Sequence, residues 1–261
     1  MRTPTLSRRR FGPAAALVLV AAAAAWVGVL VVAGRMDPMP GTMGIDLGSF
    51  VAVWTLMMTA MMLPSVAPFT SLYTRTFHDR RRLQTLALCS GYLLVWSVVA
   101  LPAYGLAWVA GRLVADHAAA ATALAALIFA ACGMYQLTGA KHACLARCRS
   151  PLGSVVQHAG GRGPARPLRV GIRYGAFCVG CCWGLMALLV AFGLMNLWAM
   201  VALTAVVLAE KTMPRGPATG RAVGGLALGL AVLVVFVPGL APGLHEMAHT
   251  GAGSATTGGM R

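Results

Sequence analysis

The sequence predicts an all-α protein, a polytopic bundle of about seven transmembrane helices. Hydrophobic residues make up 59% of the 261 residues and charged residues only 10%, whereas a soluble domain carries about 25% charged residues. The apolar residues are gathered in runs of about 20, the length that an α-helix needs to cross a bilayer. The seven runs cover residues 11–33, 47–72, 83–114, 118–140, 170–192, 193–209 and 222–237.

The basic residues between these runs predict the orientation of the bundle. Eighteen of the 21 Lys and Arg residues fall before the first run or in the loops on that same side, and the other side keeps Arg35, Arg112 and Arg261. Cytoplasmic loops collect Lys and Arg, so we expect a cytoplasmic N-terminus and an external C-terminus. The fifth and sixth runs are almost continuous and predict a tight hairpin. A single re-entrant segment is the alternative, and it would invert the seventh helix.

These features predict a multi-pass protein of the bacterial cytoplasmic membrane. Residues 1–240 are expected to form one transmembrane domain and residues 241–261 a flexible external tail. The segment Ser7-Arg8-Arg9-Arg10-Phe11 resembles a twin-arginine export signal. The apolar run after it exceeds 20 residues, longer than the roughly 7–15 of a signal peptide, which favours an uncleaved anchor.

Composition also excludes two classes of protein. The formal net charge of +15 would suit a nucleic-acid-binding protein, but the charges sit in short clusters between apolar runs, so we expect no nucleic-acid partner. Seven cysteines, an odd number, lie mostly within apolar runs or beside basic loops. A disulfide framework of the secreted kind is therefore not expected.

The fifth run carries the strongest chemical signal, in Cys178-Val179-Gly180-Cys181-Cys182-Trp183-Gly184-Leu185-Met186. Residues four apart share one face of a helix, so Cys178, Cys182 and Met186 form one sulfur-bearing stripe with Cys181 beside it. Close helix packing also uses cysteine as a small apolar residue, and this interpretation stays open. Neither packing nor lipid contact requires three cysteines within five residues.

The second run supplies a methionine stripe just before a proline. Met57 and Met61 share one helical face, as do Met58 and Met62, and Pro64 should kink the helix next to them. Core packing is the ordinary use of such a stripe. Thioethers and thiolates are also the ligands that select Cu(I), and the two sulfur sets are predicted at similar membrane depth.

A second cysteine pair follows the fourth run. Cys144 and Cys148 are one turn apart if the helix continues, and they lie among Lys141, Arg147 and Arg149, which favour the thiolate form. We expect them to form a cytoplasmic acceptor or donor site for a metal. The pair Glu210-Lys211 closes the sixth run, where a functional carboxylate and an interfacial anchor are equally supported.

The tail contains His245-Glu246-Met247-Ala248-His249, which matches the H-E-x-x-H pattern of zinc proteases. Pro242 and Gly243 precede it and Gly251 follows it, so little helix is available to set zinc geometry. A peptidase is therefore disfavoured. An external metal-capturing tail and an inert tail both stay open.

An ordered set of motifs runs from Leu47 to Lys211. Its members are Trp54, Met57, Met61, Met62 and Pro64; Tyr135, Gln136, Lys141, Cys144, Cys148 and Pro151; Gly180, Cys181, Cys182, Trp183 and Met186; and Gly193, Met195, Asn196, Trp198, Met200, Glu210 and Lys211. In these motifs the chain resembles a bacterial family of predicted metal-binding integral membrane proteins, a domain of unknown function. The resemblance implies a polytopic membrane protein with a metal role.

The residues favour a non-catalytic protein that binds or passes a soft metal ion, copper(I) rather than zinc. The expected ligands are Cys178, Cys181, Cys182, Met57, Met61, Met186, Cys144 and Cys148. Besides the bilayer and the ion, another membrane or periplasmic metalloprotein is the expected partner. Two alternatives stay open: a thiol–disulfide oxidoreductase that uses the C-x-x-C of Cys178 and Cys181, and a structural or assembly subunit.

Overall fold

The computed structural model describes residues 12–36, 41–76, 81–150 and 165–245, and every regular element within them is helical. The basic cluster before the first helix, residues 2–10, lies outside this part, as do residues 151–164 and the tail from 246 onward. The helices are α1 (Pro13–Ala33), α2 (Leu47–Thr76), α3 (Arg81–Asp116), α4 (Ala118–Leu137), α5 (Gly139–Arg149), α6 (Arg166–Phe192), α7 (Leu197–Thr212) and α8 (Gly216–Phe236). Two 3₁₀ turns, Pro238–Leu240 and Pro242–Leu244, follow α8.

Six helices (α1, α2, α3, α4, α6 and α8) are long and apolar enough to cross a membrane. The predicted all-α bundle is confirmed. The sixth predicted helix corresponds to α7, which has 16 residues and is about 24 Å long at 1.5 Å per residue. It is shorter than the roughly 30 Å hydrocarbon layer.

The predicted hairpin is formed by α6 and α7. Gly193 ends α6 with a positive φ of 93°, and the Asn196 side chain caps α7 by accepting from the Ala199 N–H at 3.1 Å. At the far end of α7, the Lys211 side chain reaches Cys178 on α6. Helix α7 therefore runs back along α6 as a separate antiparallel helix, and it begins at Leu197 rather than Gly193.

The fourth predicted helix ends earlier than expected. Its extension to Ala140 is wrong, because Thr138 adopts an extended conformation with ψ of 149° and breaks the helix after Leu137. The Thr138 hydroxyl then accepts from the Lys141 N–H at 3.3 Å and caps α5. The segment with Cys144 and Cys148 is thus a separate helix, free to pack in its own direction.

Glycines bring α3 and α6 into close contact. A Cβ added at Gly171 would collide with the Leu88 carbonyl oxygen, and one at Gly91 with the Leu168 carbonyl oxygen. Gly171 and Gly175 form a G-x-x-x-G spacing, which lets membrane helices approach closely. As a result Tyr92 of α3 reaches the cysteine-bearing face of α6.

Helices α2 and α6 form the centre of the bundle. More than half of the apolar stretch of each is buried, against a third or less in the other four long helices. Their rings stack where Phe69 meets Tyr174, with centroids 4.3 Å apart. The second and fifth predicted helices are therefore in contact. Helices α2 and α4 finish, and helices α3, α6 and α8 begin, on the same side of the bundle. We call this side the basic end.

Candidate metal centre

Three cysteines of α6 form a buried sulfur cluster. The Sγ atoms of Cys178, Cys181 and Cys182 all lie within 4.8 Å of one another, and each residue is at most 1% exposed. The Sγ atoms of Cys181 and Cys182 are 3.2 Å apart. The helical spacing brings these side chains to one side of α6, as the sequence indicates.

A fourth sulfur comes from α5. The Cys148 Sγ lies 3.9 Å from the Cys181 Sγ and is buried. The sequence interpretation put Cys148 in a separate site with Cys144. In the structure, α5 packs against α6 and brings Cys148 to the cluster instead. We call Cys148, Cys178, Cys181 and Cys182 the four-sulfur cluster.

Cys144 lies outside the cluster but next to it. It is partly buried, and a Cβ added at Gly180 would come within 2.9 Å of the Cys144 Sγ. Because Gly180 has no side chain, the Cys144 Sγ can occupy the space next to it. Cys144 is one turn from Cys148 on α5, at the edge of the bundle where its sulfur is partly open.

The α6 cluster also contacts a buried lysine, which sequence reasoning did not assign to it. The Lys211 Nζ donates to the Cys178 Sγ at 2.9 Å and to the Ser65 Oγ at 3.0 Å. The Tyr92 hydroxyl lies 3.0 Å from the same Cys178 sulfur. Lys211 is 8% exposed. Among the described residues it forms no ion pair with a carboxylate.

Next to Lys211 along the chain, Glu210 belongs to a different polar group. Its carboxylate forms a buried ion pair with Lys141 of α5 at 2.8 Å, and each side chain is 1% exposed. The Gln136 amide donates to the same carboxylate at 3.2 Å. Arg149 donates to the Glu210 main-chain carbonyl at 2.5 Å. Glu210 and Lys211 are both buried, so neither is an interfacial anchor.

The predicted methionine ligands are all buried. Met57, Met61 and Met186 are at most 2% exposed. Phe69 lies against Tyr174, and one turn further along each helix, Lys211 links Ser65 to Cys178.

Met57 and Met61 of α2 and Met186 of α6 lie further from the basic end than this link. Helices α1, α3 and α7 pack against α2 more closely than α6 does, so the link between α2 and the sulfur-bearing face of α6 is made by long side chains.

None of the seven cysteines forms a disulfide in the structure. All seven lie in the described part of the chain, and each is free. Within the C-x-x-C spacing, Cys181 Sγ donates to the Cys178 carbonyl oxygen at 3.2 Å. Cys89 and Cys132 lie on α3 and α4, apart from the cluster.

The four-sulfur cluster offers a soft donor set. Thiolates prefer Cu(I) and Zn(II) over hard cations such as Mg²⁺ and Ca²⁺. Two hydroxyl groups fix the backbone around it: Tyr174 donates to the Cys148 carbonyl oxygen at 3.3 Å, and Tyr135 donates to the Gly180 carbonyl oxygen. The arrangement can bind a soft ion in a site that is closed to water. His245, the described histidine of the H-E-x-x-H pattern, is exposed beyond the final 3₁₀ turn.

Comparison with known protein families gives a match that covers most of the described helices. The family described as "PpoB2: Copper chaperone" matches residues 51–234. No curated protein and no solved structure matches the chain. The matched residues extend from α2 into α8, and they contain the whole four-sulfur cluster, Lys211 and the methionines of α2.

Proposed function

The chain belongs to the PpoB2 copper chaperone family, and from this premise we propose that it is a membrane-embedded chaperone that binds Cu(I) at the four-sulfur cluster. The observation that carries this proposal is the buried group of three Sγ atoms within 4.8 Å of one another on α6. The role is that of a carrier rather than an enzyme, with copper as the cargo.

The copper chaperone family match, together with a sulfur-only donor set, favours copper(I) over zinc. Cu(I) is soft and is held well by two or three sulfur ligands, whereas structural zinc sites fix four ligands in a tetrahedron. Cys178, Cys181 and Cys182 supply the first ligands, and Cys148 supplies a further sulfur for exchange. The Lys211 ammonium, 2.9 Å from the Cys178 Sγ, balances the negative charge of a bound thiolate inside the apolar bundle.

Exchange between sulfur ligands explains how a buried ion can move. Met61, Met57 and Met186 are buried further from the basic end and would supply weaker thioether ligands. On the other side, Cys144 is partly open and neighbours Cys148 through one turn of α5. Copper can therefore be passed between neighbouring sulfurs without being released as a free ion.

We place this protein in the bacterial cytoplasmic membrane with its basic end in the cytoplasm. Arg169 and Arg173 of α6 and Arg221 of α8 lie near this end, as the positive-inside rule requires. The N-terminus is then cytoplasmic and the C-terminus external. The copper acceptor or donor is another membrane or periplasmic metalloprotein.

The proposal is tested by Cu(I) stoichiometry and affinity of the reduced, detergent-purified protein, measured by competition with a chromophoric Cu(I) chelator. The variant Cys178→Ala/Cys182→Ala should lose more affinity than the roughly 10- to 100-fold that losing an outer hydrogen-bond partner of a metal ligand costs. The matched control Cys89→Ala/Cys132→Ala removes two cysteines outside the cluster and should bind as wild type does.

Other results would overturn the copper assignment. Stoichiometric zinc with no Cu(I) preference would make this a zinc site. A folded wild type that binds neither metal but forms a reversible Cys178–Cys181 disulfide would favour the oxidoreductase. Unchanged copper binding in the Cys178→Ala/Cys182→Ala variant would leave the α6 cysteines with a packing role.

A further inference from the structure

Glu210 of α7 contacts helix α5 near both ends of α5. Near the start of α5, the Lys141 Nζ lies 2.8 Å from both carboxylate oxygens of Glu210. At its last residue, the Arg149 guanidinium donates to the Glu210 main-chain carbonyl at 2.5 Å and to the Pro214 carbonyl at 3.3 Å. The two contacts are eight residues apart on α5, a rise of about 12 Å.

Burying this charged contact costs free energy, because both charges lose their hydration. Lys141 and Glu210 are each 1% exposed, and removing two charges from water costs several kcal/mol per ion. Ionisable residues inside a membrane protein are usually functional for this reason. Burying the pair is therefore not explained by packing alone.

Helix α8 makes room for the same contact. A Cβ added at Gly220 would lie 3.2 Å from the Glu210 Oε1 and 3.8 Å from the Lys141 Nζ. A Cβ at Gly216 would collide with the Arg149 Nη1 and the Glu210 carbonyl oxygen. Two glycines one turn apart thus face the Lys141 and Arg149 contacts of Glu210, and α8 could not pack this closely with a larger residue in place of Gly216.

Helix α5 depends on such contacts for its position. It has eleven residues, and a helix shorter than about 12–15 residues is marginal by itself. Its Cys148 sits next to Arg149, with its Sγ 3.9 Å from the Cys181 Sγ. A small rotation or shift of α5 would separate these two sulfurs.

We propose that Glu210 is a positioning residue for the metal centre: its carboxylate holds the start of α5 through Lys141, so that Cys148 becomes the fourth sulfur of the cluster, and we call this buried contact the clamp. This inference rests on the proposed function, because it assigns Cys148 to the copper pathway. Glu210 touches no sulfur itself and acts through α5. Without the clamp, the α6 cysteines keep their positions and the last turn of α5 keeps its bonds to Tyr174 and to the α7 main chain. The start of α5 is released, so Cys148 is held less firmly beside Cys181.

The test compares the rate at which Cys148 and Cys181 form a disulfide in the absence of copper. This rate reports how close the two thiols lie. In a full-length background in which the other five cysteines are replaced by Ala, diamide oxidises the two remaining thiols to a disulfide and is itself reduced to the hydrazine. The residual thiols are then counted with a maleimide in denaturant. In Glu210→Gln the rate of disulfide formation should fall about tenfold, because the effective concentration of one thiol near the other drops.

Two further variants keep the test decisive. Lys141→Met/Glu210→Met removes both charges together, so no unpaired charge remains to unfold the protein. It should show the same slow crosslinking while its melting temperature stays closer to that of the parent than the melting temperature of Glu210→Gln does. Arg215→Gln removes an exposed charge near the same end of the bundle and should crosslink as the parent does. Equal rates in all four proteins would overturn the clamp.

Copper binding separates this inference from the function on which it rests. X-ray absorption of Cu(I)-loaded Lys141→Met/Glu210→Met should show copper still bound by α6 sulfurs, and adding Cys148→Ala to this variant should change nothing further. If wild type binds no copper but crosslinking depends on Glu210, the chaperone proposal fails and the clamp stands. If copper binds and crosslinking ignores Glu210, the clamp fails and the chaperone proposal stands.

Discussion

Two buried lysines at the basic end of the bundle have different partners. Lys141 is 1% exposed and faces the Glu210 carboxylate at 2.8 Å. Lys211 is 8% exposed and contacts the Ser65 hydroxyl and the Cys178 sulfur instead. One lysine faces a carboxylate. The other has a sulfur that becomes negative only when it is a thiolate.

The difference separates a charge that positions a helix from one that contacts a candidate metal ligand. The Lys141–Glu210 pair joins α5 to α7 whether or not the cluster holds a metal, so its loss should affect the position of α5 and the stability of the fold first. Lys211 is balanced best when Cys178 is a thiolate, which is the form that binds metal. Its loss should affect copper binding first.

The largest expected effect on stability comes from breaking the balanced pair. Glu210→Ala leaves the Lys141 ammonium buried and unpaired, and losing one partner of a buried pair costs about 3–5 kcal/mol. Thermal unfolding in detergent should show a clear loss of stability. Lys141→Met/Glu210→Met should recover most of it. A double variant as unstable as Glu210→Ala would mean that the charge pairing is not what the fold needs.

The second largest expected effect is a loss of Cu(I) affinity when Lys211 is replaced. Lys211→Met keeps the length and apolar stem of the side chain but removes the hydrogen bond to Cys178. A hydrogen bond to a charged group is worth about 1.5–3 kcal/mol, so Cu(I) affinity should fall by roughly 10- to 100-fold. Chelator competition measures this. Unchanged copper affinity together with a large loss of thermal stability would make Lys211 a structural residue like Lys141.

A smaller effect is expected from the methionines of α2. Met57→Leu/Met61→Leu conserves volume, so the fold should lose less than about 1.5 kcal/mol, while Cu(I) binding weakens by several-fold because thioether ligands are lost. The matched control is Met134→Leu/Met213→Leu, which changes two exposed methionines. Equal binding in the two double variants would remove methionines from the copper pathway.

The smallest expected effect is a loss of thermal stability from replacing Asp46, which lies at the end of the bundle opposite the basic end. Asp46 caps α2 by accepting from the Ser49 hydroxyl at 2.6 Å and from the Gly48 N–H at 2.8 Å. The Ser49 hydroxyl and N–H hold the pKa of Asp46 below its ordinary value of 3.8.

The stabilisation that this cap provides is therefore present above about pH 4 and is lost as the pH falls through the lowered pKa. Asp46→Ala should slightly reduce thermal stability at neutral pH and leave copper binding unchanged. Altered copper affinity in this variant would show that the two ends of the bundle are coupled.

Most of the fold could be predicted because it depends on local sequence. Apolar runs of the right length gave the long helices, and the four-residue spacing of Cys178 and Cys182 gave the sulfur face of α6. The close approach of α3 and α6 also had a local signal, the Gly171 and Gly175 spacing, which the sequence interpretation did not use.

The composition of the metal centre could not be predicted in the same way, because it depends on contacts between distant helices. Cys148 joins the cluster only because Thr138 breaks the chain and α5 packs separately. Lys141 and Lys211 were counted with the loop charges that set membrane orientation, yet both are buried. The available signal was Glu210-Lys211 at the end of an apolar run, where charged residues usually have a function.

The central claim is that copper is held by sulfur ligands of the four-sulfur cluster. Copper K-edge X-ray absorption of the reduced protein loaded with one equivalent of Cu(I) tests it most directly. We predict an edge typical of Cu(I) and a first shell of sulfur alone, which loses sulfur neighbours or disappears in Cys178→Ala/Cys182→Ala. A first shell of nitrogen or oxygen, or one that is identical in that variant, would contradict the account.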